Sequence, residues 1–91
     1  MSDQEQFVRR SEVRIKPVGR SVAAFVSERK ALHVLNPTAR LILEYLDEPA
    51  SRSELVLMLL EATDGSEDQV RTDLDSALDE FLEHSLIETA P

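Results

Sequence analysis

The eleven residues HVLNPTARLIL, His33 to Leu43, divide this chain into two grammars. HVL reads as the end of a strand. NPTARLIL reads as the start of a helix: Asn36 carries a capping side chain, Pro37 suits the first helical position, and apolar residues follow. Apolar runs upstream of this point are short or alternating, and those downstream have helical spacing. A chain built this way can bury both kinds of element only by laying a sheet against a helical layer.

The strand half reads as a meander. EVRIKPV alternates, with Val13, Ile15 and Pro17 opposite Arg14, Lys16 and Val18, which describes a half-buried strand whose proline belongs near an edge. Gly19 to Ser21 is turn chemistry. Val22 to Val26 is apolar on both faces, as expected of a central strand. Ser27 to Lys30 is a polar turn, and Ala31 to Leu35 alternates again. Three short strands with tight connections predict an antiparallel sheet with the third strand at an edge.

The helix half is predicted as three elements. The first runs from Asn36 through Ala39, Ile42, Leu43 and Leu46, and Asp47 to Pro49 stops it. Ser51 or Ser53 caps the second, Glu54 to Thr63, which is apolar nearly all round and is expected to be central. The third runs from about Glu67 to His84 with a stripe of Val70, Leu74, Ala77, Leu78 and Phe81. Leu86 to Glu88 reads as an apolar tail docked on the body. The expected fold is therefore α+β: a three-stranded antiparallel sheet followed by a three-helix bundle, winged-helix-like, in the order β-β-β-α-α-α. Residues 1–6 are expected to be disordered, 7–88 to form a single domain, and 89–91 to be a tail.

Bulk properties narrow the function. The chain has 91 residues, no cysteine and a net charge of −8. It offers no disulfide, no thiol nucleophile and no thiolate metal site. No apolar run approaches the roughly 18 residues of a membrane span, and MSDQEQ does not resemble a signal peptide. A cytoplasmic location without membrane attachment is expected. The charge is unevenly placed: residues 1–40 hold eight Lys/Arg against four acids, and residues 41–91 hold two against fourteen.

Enzyme signatures are missing. With only two glycines there is no phosphate-cradling loop, and His33 and His84 have no partners at ligand or catalytic spacing. No catalytic residue, no metal site and no cofactor is expected. A winged-helix nucleic-acid binder needs a basic recognition helix, but the third helix sets Glu67, Asp68, Asp73, Asp75, Asp79, Glu80 and Glu83 against Arg71 alone. A nucleic-acid partner is therefore not expected.

FVRRSEVRIKPV, HVLNPTARLILEYLD, SEL and VRTDLDSALDEFLEHSLIE together resemble the PqqD-like family, the RiPP recognition elements that act as peptide chaperones in the modification of ribosomally made peptides. The resemblance spans Phe7 to Glu88, and LNPTA is its most specific piece. It departs in turns where the family favours glycine: Glu48-Pro49 after LD, SERKA before the third strand, and Ser85 before the final Leu-Ile. The resemblance implies three strands and three helices, and binding of the leader segment of a precursor peptide as an extra strand beside the third strand. It also implies a modifying enzyme as partner, often a radical-SAM protein or a cyclodehydratase.

Together these readings place a peptide site at the free edge. Unpaired N–H and C=O groups on an edge strand are a template for an added strand, and side-chain pockets beside it supply specificity. The residues expected to contribute are Arg29, Lys30, Ala31, Leu32, His33 and Val34 on and before the strand, and Arg71, Leu74, Asp75 and Leu78 on the third helix. The rival reading is an adaptor that forms a homodimer through the same edge.

Overall fold

The computed structural model describes residues 5–26 and 30–90; the expectations for residues 1–4, 27–29 and 91 lie outside the described residues. The predicted meander is present as β2 (Val13–Val18), β3 (Ser21–Val26) and β4 (Ala31–Leu35), preceded by β1 (Gln6–Arg9). The helices are α1 (Pro37–Tyr45), α2 (Arg52–Ala62) and α3 (Glu67–Glu83). A two-residue β5 (Ala50–Ser51) lies between α1 and α2, and β6 (Ile87–Ala90) follows α3.

Two three-stranded antiparallel sheets result, ordered β2-β3-β4 and β5-β1-β6. Only the first was legible in the sequence. In the second, Phe7 is opposite both Ala50 and Thr89, so the two ends of the chain are stitched together. Gln6 therefore belongs to a strand, and Thr89 and Ala90 pair with Phe7 and Gln6 rather than forming a tail. The Arg9 N–H also donates to the Leu46 carbonyl at 2.7 Å, and the Arg10 N–H to the Leu86 carbonyl at 3.0 Å. Single-sequence patterning could not show this sheet, because its strands are two to four residues long and pair across most of the chain.

The register of β2-β3-β4 follows from its first turn. Val18 and Ser21 are opposed across Gly19-Arg20, and Gly19 takes a φ of +62°, which costs glycine nothing. A two-residue loop makes Val18 and Ser21 a hydrogen-bonded pair, and the antiparallel ladder alternates from there. Val22, Ala24 and Val26 then bond to β4, where they face Leu35, His33 and Ala31. It follows that the N–H and C=O groups of Leu32 and Val34 point outward from the sheet. The same alternation turns the ring nitrogen of Pro17 toward the outer edge of β2, where no N–H is needed.

Capping residues stop and start the helices. The Asn36 Oδ1 accepts from the Ala39 N–H at 2.7 Å, with Pro37 in the first turn. Of the two serines open at the start of α2, Ser51 caps it: its Oγ accepts from the Glu54 N–H and the Glu54 carboxylate accepts from the Ser51 N–H, a reciprocal pair. Ser66 caps α3, and Glu67 and Asp68 in the first turn suit the helix dipole.

The core joins Val13, Ala24, Val26 and Leu35 from the sheet to Ile42 and Leu43 of α1, Leu55 and Leu59 of α2, and the α3 stripe. Phe7, Leu46, Leu86 and Ile87 close it from the second sheet. The expectation that α2 is central needs correction. Leu55, Val56 and Leu59 are buried, but Leu57 and Met58 are exposed, because α2 packs against α1, α3 and β5 on one side only.

Among the described residues, two that are not glycine hold left-handed backbone, Lys30 at φ 50° and Ser85 at φ 59°. Both fall in turns where the resembled family favours glycine. A side chain there costs about 1–2 kcal/mol of backbone strain, partly offset because glycine has more freedom to lose on folding. Ser85→Gly should therefore raise stability by roughly 0.5–1 kcal/mol, measured by urea unfolding. Phe7→Ala, by contrast, should cost about 3–5 kcal/mol in the same measurement, since Phe7 links β1 to the core. A loss below ~1 kcal/mol would mean that the second sheet does not carry the fold.

Candidate functional site

The site is built around the open edge of β4. Side chains alternate along this strand: Ala31, His33 and Leu35 turn toward the helices, while Leu32 and Val34 turn away and are 51% and 67% exposed. Leu35 is anchored in the core, and Asn36 immediately caps α1. The chain therefore leaves the sheet plane as soon as β4 ends, and nothing among the described residues covers the outward backbone of Leu32 and Val34.

A groove runs beside this edge. One cleft of about 310 Å³ lies between β4 and the end of α3, lined by Leu32 to Asn36, Ala39, Glu80, Phe81, His84 and Leu86. A second, of about 220 Å³, shares Asn36, Ala39 and Glu80 with it and continues along α3 past Ala77 and Ser76 to Asp73. The His33 and His84 rings meet at one end, with centroids 4.5 Å apart and planes tilted by 37°, so that strand and helix touch there. A larger hollow of about 560 Å³ lies against the other flank of α1, lined by Arg20, Val22 and Leu41 among others. It meets β4 only at Leu35 and does not include the free edge.

The expected strand residues are here. Leu32, His33 and Val34 line the first cleft, Ala31 is half-buried at the start of β4, and Lys30 is exposed in the turn before it. Arg29 lies outside the described residues. The α3 residues are placed differently from expectation. Leu74 and Leu78 are 1% and 0% exposed, locked in the core. Arg71 pairs with Glu67 at 3.0 Å and Asp75 with Arg52 at 2.9 Å, on the side facing α2. These two line a separate cleft with Arg52, Val56 and Leu74.

Helical geometry explains the difference. At about 100° per residue, Asp73, Ser76, Ala77, Glu80 and His84 lie on one flank of the buried stripe, and Arg71 and Asp75 on the other. The stripe itself was readable in the sequence. Which flank faces β4 was not, because that depends on the hand with which the helices pack on the sheet. The signal that could have found the groove flank is its run of small and polar residues, Ser76, Ala77, Glu80 and His84, at i, i+1, i+4 and i+8.

The chemistry of the groove is that of recognition. Its exposed lining is mostly polar, with Asn36, Glu80, His33 and His84 beside Phe81, Leu86 and Ala39, which are nearly buried. Among the described residues, no group of three or more His, Cys, Asp or Glu could hold a metal ion. No described helix is long and apolar enough to cross a membrane.

Comparison with curated proteins finds no match. Two solved structures share the fold: "TbiB1 in Complex with the TbiA(beta) Leader Peptide", with a TM-score of 0.75 and 17% identity over 89% of this chain and 94% of that one, and "Lasso peptide synthetase B1 complexed with the leader peptide", with a TM-score of 0.73 and 18% identity over 93% of this chain and 98% of that one. At such identities the likeness speaks for the fold. The family described as "Coenzyme PQQ synthesis protein D (PqqD)" matches residues 21–87, a span from the start of β3 to the start of β6 that contains the β4 edge, all three helices and the groove between them. On that match, this chain belongs to the PqqD family.

Proposed function

We propose that this chain is a non-catalytic peptide-binding protein. It captures the leader segment of a ribosomally made precursor peptide as an added strand on β4 and presents that peptide to a modifying enzyme, such as a radical-SAM protein or a cyclodehydratase. The observation that carries this reading is the outward backbone of Leu32 and Val34, which pairs with no strand among the described residues, beside a groove between β4 and α3. The two solved structures of the same fold support it, since each holds a leader peptide.

Strand addition would divide the labour. Backbone bonds to Leu32 and Val34 set the register. Leader residues opposite His33 turn into the groove, and those opposite Leu32 and Val34 turn to the other face of the sheet. On the strand, the binding residues are Lys30, Ala31, Leu32, His33 and Val34. On α3 the contacts shift from the core and the α2-facing flank to Ser76, Ala77, Glu80 and His84. Burying an apolar leader side chain stabilises by about 1.5–3 kcal/mol. Two such anchors and the strand bonds, less the cost of ordering the peptide, correspond to roughly micromolar affinity or better.

An NMR titration of labelled protein with the leader of a neighbouring precursor peptide tests this directly. Shifts should concentrate on β4 and on the α3 flank from Ser76 to His84. Shifts around Arg71 and Asp75 instead would move the site to the α2 side. In the absence of peptide, a mass that rises with protein concentration would favour self-pairing at the same edge.

A proline pair separates backbone from side-chain recognition. Val34→Pro removes an outward N–H and should weaken leader binding by roughly five- to tenfold with the fold intact, the worth of one hydrogen bond. His33→Pro removes an N–H bonded to β3 and should disrupt the sheet itself. If Val34→Pro binds the leader as tightly as the parent, the peptide does not add to this edge.

A further inference from the structure

The hollow of about 560 Å³ on the far flank of α1 is larger and less polar than the groove beside β4. Val22, Leu35, Pro37 and Leu41 supply its apolar surface, and Arg20, Arg40 and Glu44 its charges. Val22 and Leu41 are half-buried: each packs on the core and keeps part of its surface open to the hollow. The topology leaves them so. Val22 is opposite Leu35, the last residue of β4, so the β2-β3 turn projects past the end of that strand. Helix α1 leaves the sheet at the same point, and the hollow is the space between turn and helix.

Charge distinguishes the hollow as well. Arg20 is exposed in the two-residue turn and has no carboxylate within salt-bridge distance among the described residues. Arg40 pairs with Glu44 at 2.9 Å along α1, so the lining keeps one uncompensated positive charge. In a chain of net charge −8, this is a place for an anionic occupant with apolar surface. The hollow also adjoins the groove. Leu35 lines both, and the first turn of α1 stands between them, with Asn36 and Ala39 on the groove side and Pro37, Arg40 and Leu41 on the hollow side.

We propose that the hollow is a second anchor site for the leader, and that it takes an acidic segment bearing a large apolar side chain, N-terminal to the added strand. The proposal rests on the strand-addition reading above. Every strand pair among the described residues is antiparallel. A leader added in the same sense runs opposite to β4, so the residues that pass the Leu35 end are those N-terminal to its strand. Past Leu35 the sheet edge has given way to α1, and the leader backbone has no further ladder to join. The hollow lies round the corner made by Pro37. An apolar side chain against Val22 and Leu41, with a carboxylate near Arg20, matches its surface. Two modest sites on one peptide then reinforce each other, because binding at the first raises the local concentration at the second. A second copy of this chain fits the hollow less well, since two bodies of charge −8 repel.

Fluorescence anisotropy with two synthetic peptides tests this: the whole leader of the neighbouring precursor, and the same leader cut at the first residue that pairs with β4, located by the NMR titration above. The parent should bind the whole leader about tenfold more tightly than the cut one, the scale of one buried apolar side chain. Leu41→Gln, which keeps a good helix former in α1, should remove most of that difference. Arg20→Glu should weaken the whole leader by about threefold or more at low salt, and by less at high salt. Both variants should bind the cut leader within about twofold of the parent, which separates loss of the hollow from loss of the fold. Failure of both peptides to bind the parent overturns the strand-addition reading and this proposal with it. Equal binding of the two peptides by the parent, or a difference that both variants keep, overturns this proposal alone. So does a mass that rises with concentration for the parent but not for Leu41→Gln, which would seat a second copy in the hollow.

Discussion

The Asn36 cap governs the working architecture of this protein. Its side chain accepts from the Ala39 N–H at 2.7 Å, so α1 begins at Pro37 with Asn36 alone between it and the end of β4. Leu35, one position earlier, is pinned in the core. No length of chain is left to fold back over β4. Backbone groups that a longer connection could have covered remain open, and the departing helix forms one wall of the groove beside them. One hydrogen bond and one buried leucine thus create both the edge and the hollow.

An open edge is a hazard as well as a site, since it invites pairing with any extended chain. The molecule treats its edges unequally. On β2 the position of Pro17 breaks the row of outward donors. On β4 no proline intervenes, and the outward side chains are apolar. The second sheet closes the molecule elsewhere, with β1 between β5 and β6 so that the two ends of the chain hold each other.

Electrostatics follow the same division. Acids crowd the solvent face of α3 and weigh against polyanionic partners, while Arg14 and Lys16 stand on β2. The ion pairs between elements, Arg9 with Asp47 and Arg52 with Asp75, are partly exposed and contribute little stability each. At the corner between β1 and β2, the Arg10 guanidinium donates to the Glu12 carboxylate at 2.8 Å and holds it below the usual carboxylate range. These pairs chiefly set which faces remain charged.

The sequence by itself determined the meander, the three helices, the cap at Asn36, the stripe of α3 and the free third strand of the meander, because each depends on local periodicity or on a residue's own backbone chemistry. Leu32, His33 and Val34 could be placed at the edge for that reason. Tertiary structure alone decided the rest. The β5-β1-β6 sheet pairs segments some forty and eighty residues apart, which no local pattern encodes. The flank of α3 that borders the groove, Ser76 to His84 rather than Arg71 and Asp75, depends on how the helix is rotated against the sheet. That rotation is set by simultaneous packing of the whole core, in which Leu74 and Leu78 are buried.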